Sequence, residues 1–362
     1  MNKFYYNHLS FSRGLFEFFK DFSISKPHLK SLTSFIPSLI DAESVVTARV
    51  ARKLKNNSEN ILIESIERRF RNFFNSFSAV AYFVYDQFIK LIISKFVPKH
   101  SDNKVHISFD HMYCKNKFTI LLFSLRIGKQ GIPLWFRCFY YSEPGDAFSI
   151  DLINSGISYC VNLFADKDYH IVFLADRWFP QVPILSHIES LGAFYCIRSK
   201  TDFTYSFYHS NSKLVSCHLY DIKPRQYSAK VLKDIFYTKN NFKTTIVVSR
   251  ACISNESWYL LTNDTSSRAV RNYSYRFGSI EPIFKHQKSN GFRLESTKTK
   301  KLEHFISLFT LVCIALVWLV IIGVDYAKNK HHYHLRLRDT KRDKNGVITR
   351  VMSFFQARTY YF

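Results

Sequence analysis

Along the first hundred residues, apolar positions recur with helical spacing, as in Ser44 to Leu54 and Ile61 to Phe77, and strand signals are few. This pattern predicts a helical domain over 1–100. From Lys104 the period changes. Val105 to Asp110, Phe118 to Arg126 and Ile132 to Tyr140 read as three strands joined by short turns such as Arg126-Ile127-Gly128-Lys129-Gln130-Gly131, a meander. A helical stretch from about Ala147 to Phe164 then leads into Tyr169 to Asp176, whose Ile171-Val172-Phe173-Leu174 centre suits a strand buried on both faces. Pro183 to Leu191 predicts another helix and Ala193 to Arg198 another strand.

Three antiparallel strands, helix, strand, helix, strand is the order of a ribonuclease-H-like α/β fold, in which the first and fourth strands lie side by side. The core's first part is therefore expected over 101–200. Residues 201–263 read as a β-rich insertion, with Lys213 to Tyr220, Lys243 to Ser249 and Ser257 to Thr262 as strands. Helical spacing resumes near Ser266, so 264–325 is expected to complete the core and 326–362 to form a basic tail. Phe305 to Val324 carries no charge over twenty residues and meets the length and hydropathy criterion for a membrane span. A core helix buried on all sides is the competing expectation.

Charge narrows the class of partner. The chain holds 51 Lys and Arg against 28 Asp and Glu, a net +23 spread along its length, which points to a polyanion and a long binding surface. In the helical domain, Arg49, Arg52, Lys53 and Lys55 form one cationic stretch and Arg68, Arg69 and Arg71 another, which suits phosphate contact, with a solvated helix face as the alternative. The seven cysteines, at 114, 138, 160, 196, 217, 252 and 313, include no Cys-x2-Cys pair and are expected to be reduced and buried in a cytosolic protein. The His331-His332-Tyr333-His334 run lies in the basic tail without companion cysteines and reads as a solvated or phosphate-facing patch rather than a metal site. The N-terminus lacks a clean apolar core with a cleavage site, so no signal peptide is expected.

The candidate chemistry rests on three acids. Asp110 and Asp176 each end an apolar strand, and Glu281 lies in Tyr273-x2-Arg276-x4-Glu281-x6-Lys288. A carboxylate at the end of a buried strand is rigidly held yet faces solvent. Three carboxylates together are hard oxygen ligands suited to Mg²⁺. Two ions about 4 Å apart would let one metal-bound water attack phosphorus while the other ion stabilises the leaving 3′ oxygen. The freed 3′-OH could then attack a second strand. Arg276 and Lys288, expected on one helix with Glu281, would hold the anionic backbone nearby.

The stretch Tyr-Ser-Tyr-Arg-Phe-Gly-Ser-Ile-Glu-Pro-Ile-Phe-Lys-His-Gln-Lys (273–288) resembles the Tyr-Arg-Glu-Lys signature of cut-and-paste DDE transposases of the insertion-sequence-four family. Ala175-Asp176-Arg177-Trp178-Phe179 resembles the family's second-acid motif, Phe109-Asp110 falls where its first acid is expected, and Ser257 to Asn263 is similar to the segment that closes its β insertion. The resemblance covers roughly residues 25 to 325. It implies a helical DNA-binding domain before the core, a triad of Asp110, Asp176 and Glu281 holding two Mg²⁺ ions (Mn²⁺ substituting), and DNA-backbone contacts from Tyr273, Arg276, Lys288 and Arg177. It also implies double-stranded DNA as partner (transposon ends and target), a homodimer in the synaptic complex, no membrane, and a cytoplasmic, nucleoid-associated location. Two departures stand out. The family has three residues between its Arg and Glu where this chain has four, which leaves the register, and the choice between Tyr273 and Tyr275, open. Trp178 replaces the usual small Gly after Asp-Arg. In relatives that use a hairpin, a base is flipped onto an aromatic residue; a packed core role is the preferred expectation for the tryptophans here, with stacking on Trp258 or Trp178 as the alternative. A copy that binds DNA without cutting it, and a membrane-anchored basic protein, are the other functional readings.

Overall fold

The computed structural model describes residues 8–56, 61–96, 103–128, 130–208, 213–239, 241–250, 256–288, 291–328, 340–342 and 348–350. The His331–His334 run, Cys252 and most of the basic tail lie outside them. In chain order the elements are α1 (His8–Phe19), α2 (Lys26–Ala42), α3 (Thr47–Asn56), α4 (Ile63–Phe77), α5 (Ala81–Phe96), β1 (Lys104–Cys114), β2 (Phe118–Ile127), β3 (Gln130–Tyr140), α6 (Pro144–Ala147), α7 (Ile150–Asn162), β4 (His170–Ala175), α8 (Val182–Ser190) and β5 (Phe194–Arg198). They continue as β6 (Thr204–Tyr208), β7 (Leu214–His218), β8 (Ala229–Tyr237), β9 (Phe242–Arg250), β10 (Ser257–Thr262), α9 (Ala269–Ser274), α10 (Ile280–Lys288), α11 (Leu302–Lys328), β11 (Thr340–Arg342) and β12 (Ile348–Arg350). The chain divides into two compact units: residues 1–97, 113–118 and 283–362 form one, and 98–112 with 119–282 form the other.

The first unit is helical. α11 packs against α2, α4 and α5, and Phe305 to Val320 is buried at almost every position. The helix is long and apolar enough to cross a membrane, yet 78% of the Leu302–Ile322 window is covered by the protein itself. Its polar groups find partners inside the unit: Ser307 Oγ donates to the Phe74 carbonyl at 2.6 Å, and the Phe305 ring stacks on Phe118 at 4.1 Å. In α3, Val50, Ala51 and Leu54 are buried while Arg49, Arg52, Lys53 and Lys55 are exposed. The alternation is the expected outcome of 3.6-residue periodicity, with one face in the core and the cations outside.

The second unit is built on a ten-stranded sheet of order β3-β2-β1-β4-β5-β10-β9-β8-β6-β7. β4 runs parallel to β1 and to β5, whereas β10 turns the sheet antiparallel beside β5. The continuous apolar run of β4 follows from its central place: Ile171 to Ala175 are all buried. The strands expected over 201–263 extend this same sheet through β10, with β7 at its edge. The apolar pattern did not announce β6 or β8. In β8 the register shifts between Leu232 and Ile235, with Asp234 in the left-handed region at φ 54°, so a bulge interrupts the period-two pattern by which strands are read. α7 approaches β2 closely at Gly156, where a Cβ would come within 2.4 Å of the Phe123 ring.

Candidate active site

The site is assembled by the β1–β4 pair. Their register places Ser108 opposite Leu174, so Asp110 and Asp176, each two residues further, are neighbours; Asp176 directly follows β4, whereas Asp110, expected at the end of its strand, lies within β1, which continues to Cys114. Both carboxylates are held alike: Asp110 Oδ1 accepts from the His111 backbone N–H at 2.8 Å, and Asp176 Oδ1 accepts from that of Arg177 at 2.8 Å. Aromatic packing fixes the backbone beneath them. Phe109 stacks on Phe123 at 4.9 Å and meets Phe179 edge-on at 4.8 Å, and the His111 ring lies parallel to Phe179 while bonding the Ala147 carbonyl at 2.8 Å.

Alternate residues on one face of β1 receive the segment that carries the third acid. His106 Nε2 pairs with Asn272 Oδ1 at 3.3 Å, Ser108 Oγ with Ser279 Oγ at 2.5 Å, and Asp110 Oδ2 with the Arg276 guanidinium. Arg276 Nη1 also reaches Glu281 Oε1 at 3.4 Å, so one cation binds two of the acids. Tyr273 is buried in the core with Val172, Leu174, Cys196, Val247, Leu260 and Ala269, and its hydroxyl donates to Asp176 Oδ1 at 3.3 Å. All three acids thus meet the Tyr273–Glu281 segment.

Here the structure corrects one expectation. Arg276 does not share a helix with Glu281: α9 ends at Ser274, Tyr275–Gly278 forms a tighter 3₁₀ turn, and α10 begins at Ile280. Pro282 has no N–H to offer the Gly278 carbonyl, so a helix cannot run through without losing that bond, whereas a proline in the first turn of a new helix loses nothing. The break absorbs the four-residue spacing and lets Arg276 fold back onto Glu281. Glu281 and Lys288 do lie on the same helix, two turns apart, and Lys288 pairs with Glu295 at 3.8 Å.

Electrostatics follow from this crowding. Burial pushes the Asp110 carboxyl above the ordinary carboxylate range, and the Asp176 charge adds to that push against the pull of Arg276. Glu281 is also raised, by burial first and then by Asp110 and Asp176, again opposed by Arg276. Burial alone would weaken the Arg276 cation, but Asp110, Tyr273, Asp176 and Glu281 outweigh it and hold the charge firmly. Burial, reinforced by the nearby Asp176, pushes the Tyr273 hydroxyl up, so it remains a donor.

Residues 152–318 match the family model of the transposase DDE domain. The match supports a DDE transposase, a class of DNA-cleaving and joining enzymes that generally use divalent metal ions. It includes Asp176 and Glu281 and begins after Asp110, so the first acid rests on its strand register and its Arg276 contact. No curated protein matches the chain.

The DDE-domain reading raises the question of metal. The available donors are carboxylate oxygens, the set a hard cation such as Mg²⁺ takes, and a cation would offset the burial, and the lesser acid–acid repulsion, that raise Asp110 and Glu281. Chemically the residues fit. In the conformation described, Arg276 holds the Asp110 and Glu281 oxygens, and among the described residues no group of three ligating side chains converges as a metal cage. The other expected DNA contacts are placed as follows. Arg177 is half-exposed and lies 3.7 Å from Glu256, which also pairs with Arg198. Trp178 does not crowd the second-acid turn: its ring is 66% exposed, with Lys200 Nζ 4.2 Å from its centroid. Trp258 instead packs on Tyr273 and Phe277.

Sequence reasoning missed a second polar network at the opposite end of β1 and β4. Asp264, at the exit of β10, accepts from Lys104 at 2.7 Å and Asn272 at 3.0 Å and lies 3.2 Å from His170 Nε2. A charged residue at the first position of a buried strand, as Lys104 is, was the available signal.

Proposed function

We propose that the protein is a DNA transposase of the insertion-sequence-four type, which binds the terminal inverted repeats of its element, cuts at their ends and joins the 3′-OH groups to target DNA. The observation that carries this reading is the gathering of Asp110, Asp176 and Glu281 around Arg276 and Tyr273 in one unit. Asp110, Asp176 and Glu281 would hold two Mg²⁺ ions, with Mn²⁺ able to substitute. When bound, the ions activate the attacking oxygen and stabilise the leaving one. The chain itself fixes the acids: strand register sets Asp110 and Asp176, Tyr273 orients the Asp176 carboxylate by hydrogen bond, and Arg276 neutralises Asp110 and Glu281 until cations and DNA arrive. Arg276 released from that pairing is a bidentate phosphate donor beside the acids. Arg177 and Lys288 would contact the backbone, as would the exposed cations of α3 within a helical DNA-binding region. A dimer on two paired ends, in the cytoplasm, completes the reading.

Purified protein with Mg²⁺ or Mn²⁺ nicks end-containing DNA under this proposal, and Asp110→Asn abolishes cutting while retaining DNA binding. Unchanged cutting by that variant overturns the triad. One observation favours a second reading: Arg276 already satisfies two of the three acids, as a DNA-binding derivative that no longer cuts would require. Absence of metal-dependent nicking by the wild type, with end binding intact, selects that alternative. The membrane-anchored reading is tested by carbonate extraction, where recovery in the membrane pellet would select it.

A further inference from the structure

We propose that Arg126, Arg271 and Tyr275 form a second phosphate-binding site, on the β1 face that carries Asp110 but four residues back along the strand. The Arg126 guanidinium lies 3.6 Å from the Tyr275 ring centroid, and Arg271 Nε donates to the Tyr275 hydroxyl at 2.6 Å. His106, on β1, meets the same ring edge-on at 4.7 Å. Arg126 Nε is buried without a hydrogen-bond partner, and among the described residues neither arginine is in an ion pair with a carboxylate. Both guanidiniums pack on the one tyrosine, and the Arg271 charge opposes that of Arg126. An anion would supply the missing counter-charge: two guanidiniums and a phenol hydroxyl gathered around one ring are a donor set suited to phosphate oxygens.

The location suits a backbone. At about 3.3 Å per strand residue, His106 lies about 13 Å along β1 from Asp110, a span of about four steps on a duplex that advances about 3.4 Å per phosphate along each strand. A strand running past the acids would therefore present a second phosphate here. This inference deepens the transposase reading and rests on it for the source of the phosphate, though not for the anion site itself. Because the contact would go to the backbone, it positions DNA without reading sequence.

The test uses the full-length protein, a short duplex of unrelated sequence and no divalent metal, with affinity measured over a range of salt concentrations. Arg271 is exposed, so Arg271→Gln leaves the melting curve in place. The variant should bind threefold to tenfold more weakly, and its slope of log affinity against log salt should fall by about 0.9, the value for one phosphate contact. Arg271→Lys should restore most of the slope. An unchanged slope in Arg271→Gln, or a loss that Lys does not restore, overturns the site. If the wild type binds no duplex DNA, the transposase reading fails and inorganic phosphate decides the site alone. A phosphate-induced rise in melting temperature that is larger in the wild type than in Arg271→Gln keeps it; equal rises overturn it.

Discussion

Replacing Asp264 by Asn should weaken the fold from the end of the sheet opposite the acids. The Asp264 side chain is 3% exposed and its main cationic partner, Lys104, is 10% exposed, so the pair is enclosed. Asn keeps the shape and retains bonding capacity toward Asn272 but removes the charge that Lys104 and His170 face. Breaking a buried ion pair from one side costs about 3–5 kcal/mol. Asn's residual hydrogen bonds, and the greater exposure of His170 at 32%, place this case near the lower end, about 3 kcal/mol. Urea unfolding followed by circular dichroism reads the loss as a midpoint lowered by about 1 M, for a slope of about 3 kcal/mol per molar. The pH dependence supplies an independent check. Burial pushes the Asp264 carboxyl up, but the Lys104 hydrogen bond, the Thr265 N–H and the charges of Lys104 and His170 outweigh it and hold it below its ordinary value. A depressed folded value means the stabilisation is complete above the unfolded carboxyl pKa, about 3.9, and is lost as pH falls through the lower folded one. The gap between wild type and variant should therefore be steady above the histidine range, from about pH 7.5 upward, and close in acid below about pH 4. A gap under about 1 kcal/mol at neutral pH, or one that widens in acid, would refute the reasoning.

Three further outcomes follow from particular contacts. Gly156→Ala forces a Cβ against the Phe123 ring, where the nearest carbon would be 2.4 Å away, and should cost about 1–3 kcal/mol in thermal or urea unfolding. Arg276→Gln leaves Asp110 buried beside Asp176 without its counter-charge and should cost about 2–4 kcal/mol at neutral pH, with half-exposed Glu281 adding little. That loss should shrink as the acids protonate on acid titration. Tyr273→Phe removes one hydrogen bond to Asp176 and should cost about 1 kcal/mol, seen as a small drop in melting temperature.

The sequence carried the strand framework because the centres of β4, β5 and β10 are buried apolar runs and apolar residues alternate with polar ones over Val105 to Asp110 of β1. It also carried the adjacency of Asp110 and Asp176, since their strands pair in parallel as the element order implied. What it did not carry depends on backbone detail or on partners distant in the chain. The bulge in β8 broke the pattern used to recognise a strand, and the interruption between α9 and α10 changed which helix face Arg276 occupies. That break lets Arg276 fold back as the counter-ion of two acids. The Asp264 network joins Lys104, His170 and Asn272 from three separate elements, and no local spacing encodes such a meeting.

The central claim is that Asp110, Asp176 and Glu281 act as one unit. Metal-dependent cleavage of end-containing DNA should be measured for wild type, Asp110→Asn, Asp176→Asn, Glu281→Gln and the double variants, with DNA binding checked for each. Residues acting together are strongly non-additive, so each single variant should fall by about a thousandfold or more and each double no further, with binding retained. Cleavage within about tenfold of wild type in any one of the three, or losses that multiply in the doubles, would contradict the account.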